Sequence, residues 1–206
     1  APDGSGELAG EERHFGDGAF WLRTNLSQAE ARAQYVEDSL VAPWFSTVDL
    51  DKTIDFKGDL PKGQALVKYK ARSRNMARRE GKDLVLPLSP AATYGSQIAP
   101  LPTRTLPVQL PSYFAPSHQS RTVRVTAPPG MAWGELPPGG DAAGGEFGRA
   151  HLEINRDARD PRVIVIKRTV LFDQHLIPVE KYGAWHAWVQ QVDALMHKEV
   201  RLVEAK

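Results

Sequence analysis

No cysteine occurs among the 206 residues, which excludes disulfides, thiolate metal sites and thiol nucleophiles together. The absence leaves the compartment open, because a chain of this length buries enough core to be stable without covalent staples. Net charge is nearly absent as well: 26 Lys and Arg stand against 25 Asp and Glu, a formal +1, so no global field draws the chain to nucleic acid or to an anionic membrane. No run approaches the roughly 18 to 20 apolar residues of a membrane span, and the N-terminal residues lack the basic-then-apolar pattern of a secretion signal. The first residue is Ala1 rather than Met, which reads as a mature or excised fragment. No internal repeat is present.

Motifs of catalysis and metal binding are missing too. The six His residues, at 14, 118, 151, 175, 186 and 197, include no one-turn pair that would place two imidazoles on one metal. No Gly-x-Ser-x-Gly elbow occurs. Gly139 to Gly148 is glycine-rich but lacks the strand, tight turn and helix of a phosphate loop. The acidic run Asp49 to Leu60 has Ile54 and Leu60 where an EF-hand needs Gly and a bidentate Glu. The expectation is therefore no catalytic residue, no cofactor and no metal.

What is present is a mainly β, α+β pattern. Proline (16) and glycine (17) are abundant and mark many turns. Residues 1–14 read as a linker. Phe15 to Leu26, aromatic and broken by glycines, reads as a strand. Ser27 and Glu30 fit a capping box that opens a helix over 28–41, stopped before Pro43. Trp44 to Asp51 and Ile54 to Phe56 alternate loosely, whereas Gln64 to Ser73 alternates cleanly, with Ala65, Val67, Tyr69 and Ala71 on one face. Leu84 to Leu88 is a short strand signal, and Ser89 to Pro116 reads as an extended, proline-rich connection. Arg121 to Ala127 and Met131 to Leu136, joined by Pro128, Pro129 and Gly130, predict a hairpin. Pro137 to Gly148 reads as a mobile loop. Ala150 to Asn155 pairs with Val163 to Leu171, inside the strand signal 162–172, in an antiparallel meander.

The last segment carries the strongest signal. Tyr182, Trp185, Val189, Val192 and Met196 recur at spacings of three and four, one apolar stripe on a helix over 178–200 that opens with Pro178 in its first turn. His186, His197, Glu180 and Asp193 fall on its wet side. The pattern predicts an antiparallel, sandwich-like body closed by a docked C-terminal helix, in two packed subdomains, 15–117 and 118–206, divided near 100–118.

Two surface features are candidate contacts. The polar face of the 64–73 strand carries Lys68, Lys70, Arg72 and Arg74, extended by Arg78, Arg79 and Lys82, a local basic surface for an anionic polysaccharide, a lipid head group or nucleic acid. It lacks interleaved aromatics for base stacking, since Tyr69 lies on the other face. Its bland reading is a solvated strand face. Trp188 is the candidate surface aromatic, and Trp185 belongs to the core stripe.

The order of landmarks resembles a known domain. Gly18-Ala-Phe-Trp-Leu-Arg23, the helix with Ala31-Arg32, Leu84-Val-Leu-Pro-Leu88, Arg104-Thr-Leu-Pro107, Val123-Arg-Val-Thr-Ala-Pro-Pro-Gly130 and Ile177-Pro-Val-Glu-Lys-Tyr182 are similar, over about residues 15–203, to the C-terminal domain of bacterial envelope proteins. Those proteins have an N-terminal domain of unknown function and a central transglutaminase-like, papain-type domain. The resemblance implies a periplasmic or cell-envelope β-domain downstream of the Cys, His and Asp machinery, with no catalytic residue of its own. Its expected partners are the upstream transglutaminase-like domain and an envelope protein or polysaccharide. The alternatives are an envelope polysaccharide- or peptidoglycan-binding module, and a cryptic hydrolase built from dispersed Ser, His and Asp.

Overall fold

The computed structural model describes the chain except for residues 2, 46, 52, 61, 62, 90, 91, 112, 113, 116 and 206, and the side chains of 59 and 60. It opens with β1 (Gly6–Phe15), helix α1 (Gly16–Leu26) and helix α2 (Ala29–Tyr35), which widens into a π-helical turn (Val36–Val41). Strands β2 (Val48–Leu50), β3 (Asp55–Leu60), β4 (Gln64–Ser73), β5 (Arg78–Glu80) and β6 (Asp83–Pro87) follow. Short helix α3 (Tyr94–Ile98) and the two-residue β7 (Val108–Gln109) lie in the proline-rich middle. The second half holds β8 (Ser117–Thr126), β9 (Met131–Trp133), β10 (Gly140–Ala143), β11 (Gly148–Arg156), β12 (Val163–Phe172), β13 (Leu176–Ile177), helix α4 (Tyr182–Met196) and β14 (Glu199–Glu204).

The large sheet runs β10-β11-β12-β8-β1-β4-β2, with β3 also on β4, and every pairing is antiparallel. A smaller sheet, β5-β6-β14-β9, joins the same buried cluster through Leu84, Leu86, Trp133, Val200 and Leu202. The mainly β, sandwich-like architecture with a long C-terminal helix is as the pattern predicts. One face of the large sheet is wet and the other buried, as period-two alternation requires. On the wet face the register sets Glu7 opposite Arg72 and Glu11 opposite Lys68. The covered face packs α1, the π-helical turn after α2, and α4 around one hydrophobic cluster drawn from both halves.

Several expectations change. Residues 6–14, within the stretch 1–14 expected as linker, belong to a strand between β4 and β8; its inward positions, Leu8, Gly10, Glu12 and His14, carry too little apolar character to betray it. Of the stretch Phe15 to Leu26, expected as a strand, only Phe15 is extended; Gly16–Leu26 is helical because Ala19, Leu22 and Leu26 recur at helical spacing and are buried, while Phe20 and Trp21 face out. The capping box at Ser27 does not form: Ser27 Oγ donates to the Thr24 carbonyl at 3.0 Å, and Gln28 holds the N-cap position. Helix α2 with its π turn otherwise spans the expected stretch and ends before Pro43. β8 and β9 are not a hairpin, since β9 pairs with β14 and β8 lies between β12 and β1. The large sheet draws strands from both sides of residues 100–118, with β8 paired directly to β1.

The glycine-rich stretch expected to be mobile is β10 and a 3₁₀ turn moulded round Trp188. A Cβ on Gly144 would sit 2.5 Å from the indole, so glycine here permits close approach. Trp188 itself, expected at the surface, is only 3% exposed; it stacks on Phe147, meets Phe172 edge-on and donates its indole N–H to the Ala142 carbonyl at 3.2 Å. The α4 stripe is buried as predicted, but the helix is shorter than the expected 178–200: a 3₁₀ turn (Val179–Lys181) precedes it, and after Met196 the chain turns into β14, where Val200 and Leu202 are buried. Asp193, expected on the wet face, is buried as well. Its carboxylate accepts from the backbone N–H groups of Tyr94 at 2.8 Å and Gly95 at 2.7 Å, pinning α3 to α4 and ordering the described part of the proline-rich segment.

Candidate functional site

The covered face of the large sheet is apolar except for one row of charge. Glu12 on β1, Arg121 on β8 and Arg168 on β12 are direct cross-strand neighbours in consecutive pairs, so the pleat forces all three side chains to the same side. Tyr69 joins them from β4. It stands opposite Gly10, where a Cβ would lie 2.4 Å from the phenol ring; glycine lets the ring lie across β1 and reach Glu12 two residues on.

Glu12 accepts from the Tyr69 hydroxyl at 2.8 Å and from Arg121 Nη2 at 2.9 Å, with the His14 ring 3.4 Å away. Burial alone would raise its carboxyl, but the Arg121 charge and the His14 and Tyr69 hydrogen bonds outweigh burial and hold it at about 2. Burial and the neighbouring carboxylate push the Tyr69 phenol well above its usual range. Arg121 also donates to the Tyr69 hydroxyl and, at 2.6 Å, to the Leu40 carbonyl. Leu40 lies in the last turn of the π segment, where carbonyls lack helical donors, so the arginine clamps that helix end to the sheet. Its Nε is buried without a partner among the described residues.

Arg168 is different. It is 8% exposed and has no ion pair among the described residues. Its Nη1 donates to the Leu88 carbonyl at 3.3 Å and its Nε contacts Met196 Sδ at 3.3 Å, and Nη2 makes no hydrogen bond among the described residues. Burial lowers its pKa to about 10, with Arg121 opposing the charge further. The Trp44 ring lies against both cations, 4.1 Å from Arg121 Cζ and 4.7 Å from Arg168 Cζ. At neutral pH the row therefore holds two guanidinium cations and one carboxylate.

The row forms one wall of a cavity of about 320 Å³, within the size range of small-ligand sites. Trp44, Tyr94, Ser89, Ser120 and Gln119 are among its other lining residues. A second recess of about 220 Å³ shares Tyr94, Gln97, Gln119 and Val170 with the first and continues to Phe114 and Phe172. One end is thus cationic and the other aromatic.

The expected basic surface lies elsewhere. Lys68, Lys70 and Arg72 are exposed on the opposite face of β4, and Arg74 follows the strand. Lys68 pairs with Glu11 at 2.9 Å and Arg72 with Glu7 at 2.8 Å; Arg78 is bound to Glu80 and Glu199. The register thus interleaves acid and base and disperses the basic patch. Glu12, Arg121 and Arg168 were not among the expected site residues. A signal existed for two of them: each arginine occupies the inward phase of a period-two strand, Arg121 before Val123 and Val125, and Arg168 between Ile166 and Val170. Glu12 had none, because β1 carries no apolar alternation.

Comparison with protein-family models, with curated proteins and with solved structures finds no match to this chain.

Proposed function

We propose that this chain is a non-enzymatic recognition module, one that follows a transglutaminase-like domain in a bacterial cell-envelope protein and positions it or recognises a partner for it. The observation that carries the non-enzymatic half is the electrostatics of the cavity wall. A general acid or base works best with a pKa near the working pH, whereas Glu12 is held near 2 and Tyr69 is pushed above the usual phenol range. Groups tuned away from neutrality act as fixed charge for binding, not as proton carriers. Phe20 and Trp21, side by side on α1 and 57% and 41% exposed, add the kind of apolar surface that a protein neighbour covers. The envelope setting and the upstream domain rest on the order of sequence landmarks.

The test is calorimetric titration of the chain against a transglutaminase-like domain, the partner that this proposal sets upstream of it. Saturable binding is the expected result. Turnover of peptide amides or esters by the chain alone, abolished by one point change, would overturn the reading. The polysaccharide-binding alternative draws less support from the basic face, given its pairing with Glu7 and Glu11. Salt-sensitive co-sedimentation with peptidoglycan would restore it.

A further inference from the structure

We infer that the cavity binds an organic monocarboxylate with an apolar stem, its carboxylate on Arg168 and its stem in the aromatic recess of Phe114 and Phe172. The reading rests on the recognition role proposed above only in locating the contact, and it is tested separately from docking.

Four observations converge. Arg168 presents a planar guanidinium with an unpartnered Nη2, on a side chain more than nine-tenths buried; a carboxylate is the shape that such an edge pairs with. The charge row has two cations and a single carboxylate, so one anionic charge is missing. That stoichiometry selects a monoanion: a phosphate dianion would overshoot it and would face the ionised Glu12 in the same row. Tyr94 lines both cavities, and its hydroxyl makes no hydrogen bond among the described residues, so a donor waits where the head group meets the stem. Finally, the recess beyond it is walled by Tyr94, Phe114, Val170 and Phe172 together with Gln97, Ser117 and Gln119, so aromatic rings are available to an apolar stem.

The same chemistry arises from a free apolar acid or from the C-terminus of a peptide ending in an apolar residue. The probes are 3-phenylpropionate, N-acetylphenylalanine and the carboxamide of each, titrated into the ¹⁵N-labelled chain while the Trp44 indole N–H and the arginine Nε–H resonances are followed. The acids are expected to shift these resonances saturably, with affinity at least tenfold above that of the amides. The tighter of the two acids assigns the source. Arg168→Met should weaken acid binding tenfold or more, and Arg168→Lys, which keeps the charge but loses the fork, by less. No saturable shift up to 20 mM, equal affinity for acid and amide, or undiminished binding by a folded Arg168→Met variant each overturns the inference. The comparison of acid with amide uses the unaltered chain, so it decides the matter even if the variant does not fold.

Discussion

Glu12→Gln removes the only carboxylate in the charge row and leaves Arg121 and Arg168 directly opposite each other. Glu12 is buried and accepts from both Tyr69 and Arg121, so the change breaks a buried ion pair from one side. Such a break costs about 3–5 kcal/mol. An independent route gives a similar figure: the carboxyl is lowered from 4.5 to about 2, worth roughly 3 kcal/mol at 1.36 kcal/mol per pH unit. For a chain of this size each kcal/mol moves Tm by about 2–4 °C, so calorimetry should place the variant some 6–20 °C lower. The sign with pH follows from linkage: a carboxyl depressed in the folded state stabilises fully above pH 4.5, and that contribution disappears as pH falls through about 2. The gap between wild type and variant in denaturant titrations should therefore narrow by roughly 3 kcal/mol between pH 5 and pH 2. Pairing Glu12→Leu with Arg121→Met should recover much of the loss, because the stranded cation leaves with its partner. A gap below about 1 kcal/mol, or one that does not change with pH, would refute the reasoning.

Arg168→Met should do the opposite and raise Tm in the same scan. Burial lowers the guanidinium from 12.5 to about 10, a penalty of roughly 3 kcal/mol, present at neutral pH and relieved only as pH rises through about 10. The contacts to Trp44 and the Leu88 carbonyl offset part of it, so the expected gain is about 1–2 kcal/mol; a lower Tm would mean that the arginine is there for stability. Gly144→Val should destabilise by about 1–3 kcal/mol, with a changed near-ultraviolet signal from the displaced Trp188 ring; unchanged stability would show that the turn has room to give.

The elements that could be read from sequence were those whose buried face is uniformly apolar. β4, β12 and α4 announce themselves because Ala65, Val67, Tyr69 and Ala71, or Tyr182, Trp185, Val189, Val192 and Met196, mark one period without interruption. β1 was invisible for the reason that makes it interesting: its inward positions include a glycine that admits Tyr69 and a glutamate that holds Arg121. The aromatic residues Phe20 and Trp21 suggested a strand where Ala19, Leu22 and Leu26 build a helix, since aromatic enrichment is a weaker signal than spacing. The site assembles from β1, β8 and β12, whose members lie 47 to 156 residues apart in sequence; only the strand order brings them into one row.

That strand order has a kinetic consequence. β14 lies between β6 and β9, so Leu84 and Leu86 on β6 lack their neighbour until residues beyond 198 have been made and α4 has formed. In the large sheet, β1 likewise waits more than a hundred residues for β8. Pairings this distant slow the approach to the native state. During synthesis the chain must carry open sheet edges, and early β6, apolar and paired only with the short β5, is the segment most exposed to pairing with the wrong strand.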